Sequence, residues 1–170
     1  MLKKGQIWVE TVIYTLIGLA ILGILLALAK PKIDELKDRL IIEKSIEMLN
    51  NIEQAVNNIK YVPGNSRPID VKIQRGNLII SGKDDYVEYY LENSNYKYSE
   101  PGQEIEIGNI KATTTENGKV YSVKLIRNYQ SYLNLTWQGE DIDKELQPAS
   151  TPYKIFASNK GGPIPNIDFS

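Results

Sequence analysis

Hydrophobicity along this chain changes its period twice. From Ile7 to Ala29 the residues are apolar on every side of a helix, and the only charge is Glu10. From Lys30 onward, Ile33, Leu36, Leu40, Ile42, Ile46, Leu49, Ile52, Val56 and Ile59 recur at three- or four-residue steps, save the step from Leu40 to Ile42, with charges and amides between them. That spacing predicts more helix, now with one apolar stripe. Pro31 falls between the two halves and is expected to kink or loosen the helix, because it lacks an N–H and crowds the preceding turn. After the turn-rich joint "YVPGNSRP" the period drops to two. "IDVKIQR", "NLIIS", "YVEYYLE", "EIEIG", "NIKATTT", "VYSVKLI" and "SYLNLTW" read as short strands, separated by "RGN", "SGKDD", "EPGQ" and "ENGK". The ending "STPYKIFASNKGGPIPNIDFS" reads as one or two closing strands around a glycine-proline loop. The expected fold class is α+β: a long N-terminal helix over 6–60, then an antiparallel β-sandwich head over 61–170.

The first run has membrane dimensions. Its 23 residues would span roughly 35 Å as a helix, against a hydrocarbon core of about 30 Å. Lys3 and Lys4 precede it and Trp8 stands near the same end, as at a cytoplasmic membrane interface. A secretory signal would have a shorter apolar region followed by a small-x-small cleavage site, and none follows here, so the segment is expected to remain in the mature protein. A helix apolar all round must be surrounded by lipid or by protein. Glu10 is the anomaly, because an ionised carboxylate in hydrocarbon costs several kcal/mol unless partnered.

Composition removes most alternatives. Lys plus Arg number 20 against 21 Asp plus Glu, so nothing marks a nucleic-acid binder. Cysteine and histidine are absent, which leaves no disulfide, no thiolate metal site and no imidazole base. No catalytic constellation and no cofactor site is expected.

The opening residues resemble an archaeal type IV pilin with a class III signal peptide. In that family a short basic leader precedes a segment of the form Q-x-x-x-E and then a long apolar helix. Here the leader is "MLKKG" over 1–5, and the resemblance implies a cut between Gly5 and Gln6 by a prepilin peptidase. Trp8 stands where the family often has serine or alanine. The resemblance further implies storage in the cytoplasmic membrane, extraction by an assembly ATPase and a platform protein, and a helical homopolymer on the cell surface. Family heads are often immunoglobulin-like, and the same head is expected here by analogy.

Cleavage would give Glu10 a partner. The new α-amine on Gln6 is four residues away on one helix face, and such amines titrate near pH 7.7–8 (approximate), so it is largely cationic at neutral pH. Pairing within one subunit or between neighbours would relieve the buried charge. A monomeric membrane-anchored surface or ligand-binding domain, with Glu10 at the interface, is the alternative; an archaellin is a third.

The head offers lesser candidates. Asn134 heads the only N-x-S/T sequon, "NLT", and strand alternation places Asn134 and Thr136 outside, with Leu133, Leu135 and Trp137 inside. The acidic stretch with Glu140, Asp141 and Asp143 lacks calcium-loop spacing and reads as a solvated turn. "NKGGPIP" lacks the frame of a phosphate loop. Tyr86, Tyr89, Tyr90, Tyr96 and Tyr98 are expected to split between the core and a half-buried sheet face.

Overall fold

The computed structural model describes residues 3–170, with side chains from Trp8 onward. It forms two compact units, the first ending at Lys37 and the second spanning Asp38–Ser170. Helix α1 (Lys3–Ile59) remains helical through Pro31, whose missing N–H deprives the Ala27 carbonyl of a partner. Ten strands follow: β1 (Ser66–Val71), β2 (Asn77–Ser81), β3 (Tyr86–Ser94), β4 (Glu104–Ile107), β5 (Ile110–Asn117), β6 (Val120–Asn128), β7 (Asn134–Trp137), β8 (Asp143–Leu146), β9 (Tyr153–Gly161) and β10 (Asn166–Phe169). They make a four-stranded sheet, β1-β9-β10-β7, and a six-stranded sheet, β4-β5-β6-β3-β2-β8. Every pairing is antiparallel except β10 with β7. The expected α+β class, a long helix followed by an antiparallel-rich β-sandwich, is the class observed.

Within the second unit the helix is part of the core. Ile42, Leu49, Ile52, Val56 and Ile59 are buried together with Leu78, Val87, Leu91 and Leu125 of one sheet and Ile155, Ala157, Ile167 and Phe169 of the other. The compact head therefore starts at Asp38, whereas sequence alone placed its start after residue 60. A change of period marks where strands begin, but it does not reveal which apolar stripe the strands will cover.

The stripe itself needs correction. Leu40 is 54% exposed and Ile42 is fully buried. Two residues turn a helix by about 200°, so these positions lie on opposite sides. Ile33 and Leu36 are also exposed. The two-residue step from Leu40 to Ile42 carries the series from one face to the other.

Polar groups fasten the helical part of the head at each end. At its start, the buried Asp38 carboxylate pairs with Arg75 and accepts hydrogen bonds from the backbone N–H (2.6 Å) and side-chain amide (2.9 Å) of Asn95. Arg75 also donates to the carbonyl of Glu92 at 2.9 Å. The next residue must be glycine: Gly76 has φ +76, and a Cβ there would lie 2.5 Å from the Tyr90 carbonyl oxygen. At the far end, the last carbonyls of a helix have no intrahelical donor. The buried amide of Asn159 supplies one, donating to the carbonyls of Ile59 (2.8 Å) and Lys60 (3.0 Å).

Two strands depart from expectation. β1 begins at Ser66, so Pro68, read as part of a turn, lies in a strand. β8 forms from the acidic stretch read as a loop: Asp143 accepts from the Ser81 hydroxyl at 2.6 Å while its strand pairs with β2. That hydroxyl, with Lys83 nearby, lowers the pKa of Asp143 below the ordinary carboxylate value.

Two outcomes follow. Asn159→Ala strands buried carbonyls at the helix end and lowers unfolding stability by about 1–3 kcal/mol, seen as a lower urea midpoint with an unchanged slope. A fragment spanning 38–170 unfolds cooperatively, whereas one spanning 61–170 lacks the helical share of its core and shows no cooperative melt by circular dichroism.

Candidate membrane and assembly helix

The first unit is a helical surface without cover. Every described residue from Trp8 to Ile33 is exposed. They include more than a dozen large apolar side chains, among them Trp8 (71%), Leu26 (69%) and Leu28 (68%). The helix is long and apolar enough to cross a membrane. Thr11 to Ala29 contains 19 residues without a charge, about 28 Å of helix, which matches the thickness of a hydrocarbon core. Lys30 and Lys32 follow at once. The structure is thus compatible with membrane insertion.

Polar groups within this stretch find local partners where the chain supplies them. The Thr15 hydroxyl donates to the Thr11 carbonyl at 2.8 Å, which removes a donor from lipid. Gly18 and Gly23 leave open notches, since a Cβ at either would meet nothing. Glu10 is exposed and makes no ion pair among the described residues. Gly5 and Gln6, the expected cleavage point and amine donor, lie outside the described side chains.

The head's sheet edges are ill suited to joining copies. Unpaired strand edges invite pairing with other chains unless proline or charge blocks them. Phe156 exchanges both backbone hydrogen bonds with Ser170, so Pro68, its opposite number on the edge strand β1, faces outward where the lost donor costs nothing. Edge strand β4 carries Glu104 and Glu106, and edge strand β8 carries Asp143, Lys144 and Glu145.

Other candidates resolve as parts of the fold. Glu53 on α1 accepts from Arg127 Nη2 (2.9 Å) and Asn109 (2.7 Å), an ion pair buried between helix and sheet. Beside it, the Tyr129 hydroxyl and Arg127 Nε are buried without hydrogen-bond partners among the described residues. Burial pushes the Tyr129 pKa up, and the nearby Arg127 charge only partly offsets this. A cleft of about 450 Å³ is lined by Trp137, Leu146, Tyr153, Ile155 and the lysines Lys144 and Lys154. Among the described residues no group of three or more His, Cys, Asp or Glu side chains is placed to hold a metal ion. Of the five tyrosines, Tyr89 is in the core and Tyr86 and Tyr90 are half-buried on β3, as expected, whereas Tyr96 and Tyr98 are half-buried in the loop after it.

The sequon is only half as expected. Asn134 is partly exposed, but Thr136 is 3% exposed and its hydroxyl lies 3.0 Å from Asp168 Oδ1 and 3.2 Å from Asn166 Oδ1. Simple alternation fails at Thr136 because the far face of β7 also meets the Asn166–Asp168 polar pair. The buried polar residues Asp38, Glu53, Asn159 and Thr136 were all missed as structural elements in sequence. Asp38 and Glu53 left one signal: each lies within a turn of the buried stripe, where an acid needs a partner.

No family model, no curated protein and no solved structure matches this chain.

Asn134→Gln and Thr136→Ala both delete the sequon, yet only Thr136→Ala removes a buried hydrogen bond. The expected result is an unfolding free energy unchanged for the first and lowered by about 1–2 kcal/mol for the second, with any glycan mass lost from both.

Proposed function

We propose that this chain is a structural subunit that polymerises through its N-terminal helix into a type IV-like surface pilus of the archaeal kind. The observation that carries the reading is the exposed apolar surface from Trp8 to Ala29, in a chain whose second unit has a core of its own. In water, each large aliphatic side chain there would cost about 1.5–3 kcal/mol. Before assembly the cover is lipid; in the fibre it is other copies of the same helix. Exchanging lipid for protein gains little hydrophobic energy, so close packing at positions such as Gly18 and Gly23 would matter. Return to water is prohibitive, which makes the fibre durable and membrane extraction dependent on an outside energy source.

Glu10 separates this reading from a plain membrane anchor. If a peptidase cuts after Gly5, the new cation on Gln6 lies one helical turn from the carboxylate, and the two can pair within a subunit or across neighbours. In a plain anchor Glu10 would instead rest at the membrane interface with no such partner. Blocked edges on the head support the same view, because propagation is left to the helix.

The expected mature N-terminus by mass spectrometry is Gln6, and electron microscopy of sheared surface material should show filaments. Glu10→Ala leaves a buried amine stranded at roughly 3–5 kcal/mol, enough to lower piliation tenfold or more while the head stays folded. Wild-type piliation in that variant rejects the pairing. An unprocessed Met1 in cells without filaments rejects the pilus in favour of the anchor.

A further inference from the structure

Strand β9 runs further than its pairing with β10. Phe156 exchanges both backbone hydrogen bonds with Ser170, at 2.8 and 3.1 Å. In an antiparallel ladder the residue two places along directs its N–H and carbonyl the same way. Lys154 therefore aims its backbone N–H past that last pairing, where no strand lies opposite among the described residues. The cleft of about 450 Å³ opens there, with walls from β7, β8 and β9. β8 supplies a second donor. Alternation puts Lys144 on the same face as the buried Leu146, and its ammonium lies 5.6 Å from the centre of the Trp137 ring. Lys144 forms no ion pair among the described residues. Trp137 supplies the third. The residue is 8% exposed and its indole N–H has no hydrogen-bond partner among the described residues, yet that N–H is not sealed from solvent as the Tyr129 hydroxyl and Arg127 Nε are. Glu145 also lines the cleft, but it stands on the opposite face of β8 and accepts from the Asn77 amide at 2.7 Å. Leu146, Ile155 and Tyr153 make the apolar wall, and the Tyr153 hydroxyl is taken up by the Gln147 carbonyl at 3.0 Å. A lysine turned inward on an edge strand also guards that edge. Guarding accounts for Lys144 alone and gives no use to the two neutral donors.

We propose that this cleft binds a small organic carboxylate with an apolar body. The carboxylate accepts from the Lys144 ammonium, the Trp137 indole and the Lys154 backbone N–H, and the body lies on Leu146, Ile155 and Tyr153. An ionised carboxylate only accepts, so it complements a set of donors, and its charge balances the lysine. Charge-assisted hydrogen bonds are about twice as strong as neutral ones, and they gain further where water is partly excluded. The volume falls among those of small-molecule sites, roughly 300–1,000 Å³. Every group involved belongs to the head, so the inference does not rest on the pilus reading.

The test uses the full chain in detergent micelles, with isotope-labelled tryptophan and phenylacetate as the probe. The Trp137 indole N–H resonance is identified by its loss in Trp137→Phe, and the Trp8 resonance in the same spectrum reports any effect of the probe on the micelle. Phenylacetate should shift the Trp137 resonance saturably in the millimolar range or below. Phenylacetamide keeps the body without the charge, and glucuronate keeps the charge on a hydroxylated body. Each should bind about tenfold more weakly, and Lys144→Gln with an unchanged melting temperature should lose a similar factor for phenylacetate. A Trp137 resonance that stays in place, or moves without saturating, overturns the proposal. So does equal binding of phenylacetamide, equal binding of glucuronate, or wild-type affinity in Lys144→Gln. If Lys144→Gln fails to fold, the three probes on the wild type decide alone.

Discussion

An apolar helix surface cannot stand in water, and this one fact organises the molecule. Exposing a large aliphatic side chain costs about 1.5–3 kcal/mol, so the exposed stretch from Trp8 to Ala29 carries a demand of tens of kcal/mol. The segment from Ile42 to Ile59 makes the same demand along a single stripe, and there the two sheets meet it. One helix thus has two kinds of burial, one settled within the chain and one left to its surroundings.

The head, for its part, is closed against strand partners. Its core takes up the helix stripe, Asp38 and Asn159 satisfy polar groups at the two ends of that stripe, and Glu53 with Arg127 forms a buried pair between helix and sheet. Such pairs contribute little net stability when intact and are costly when broken. The edges of the described sheets are closed by proline at β1, by charge at β4 and β8, and at β7 by the Asp85 carboxylate, which accepts from the Leu135 N–H at 2.7 Å. A domain displayed at high density would otherwise aggregate through the unpaired backbone of those edges.

Glu10 sits on the other side of this division. The head's buried acids Asp38, Glu53, Glu88 and Asp168 are answered by Arg75, Arg127, Lys124 and Lys160, while Glu10 has no ion-pair partner among the described residues. On the proposed reading a processed terminus or another chain supplies that partner, which would tie maturation to assembly. That is the chemical content of the proposed function.

Sequence by itself determined the apolar helix, the α+β class, most of the strands and the position of Glu10. These depend on composition and on periods of three to four or of two, which neighbouring residues define among themselves. Only tertiary structure decided that the head begins at Asp38, that Leu40 and Ile42 part company, that an acidic stretch becomes β8, and that Thr136 is buried. The Asn159 cap crosses about a hundred residues of chain, and the Asp85 stopper crosses fifty. Such contacts pair groups by distance in space, and no local pattern of polar and apolar letters carries that distance.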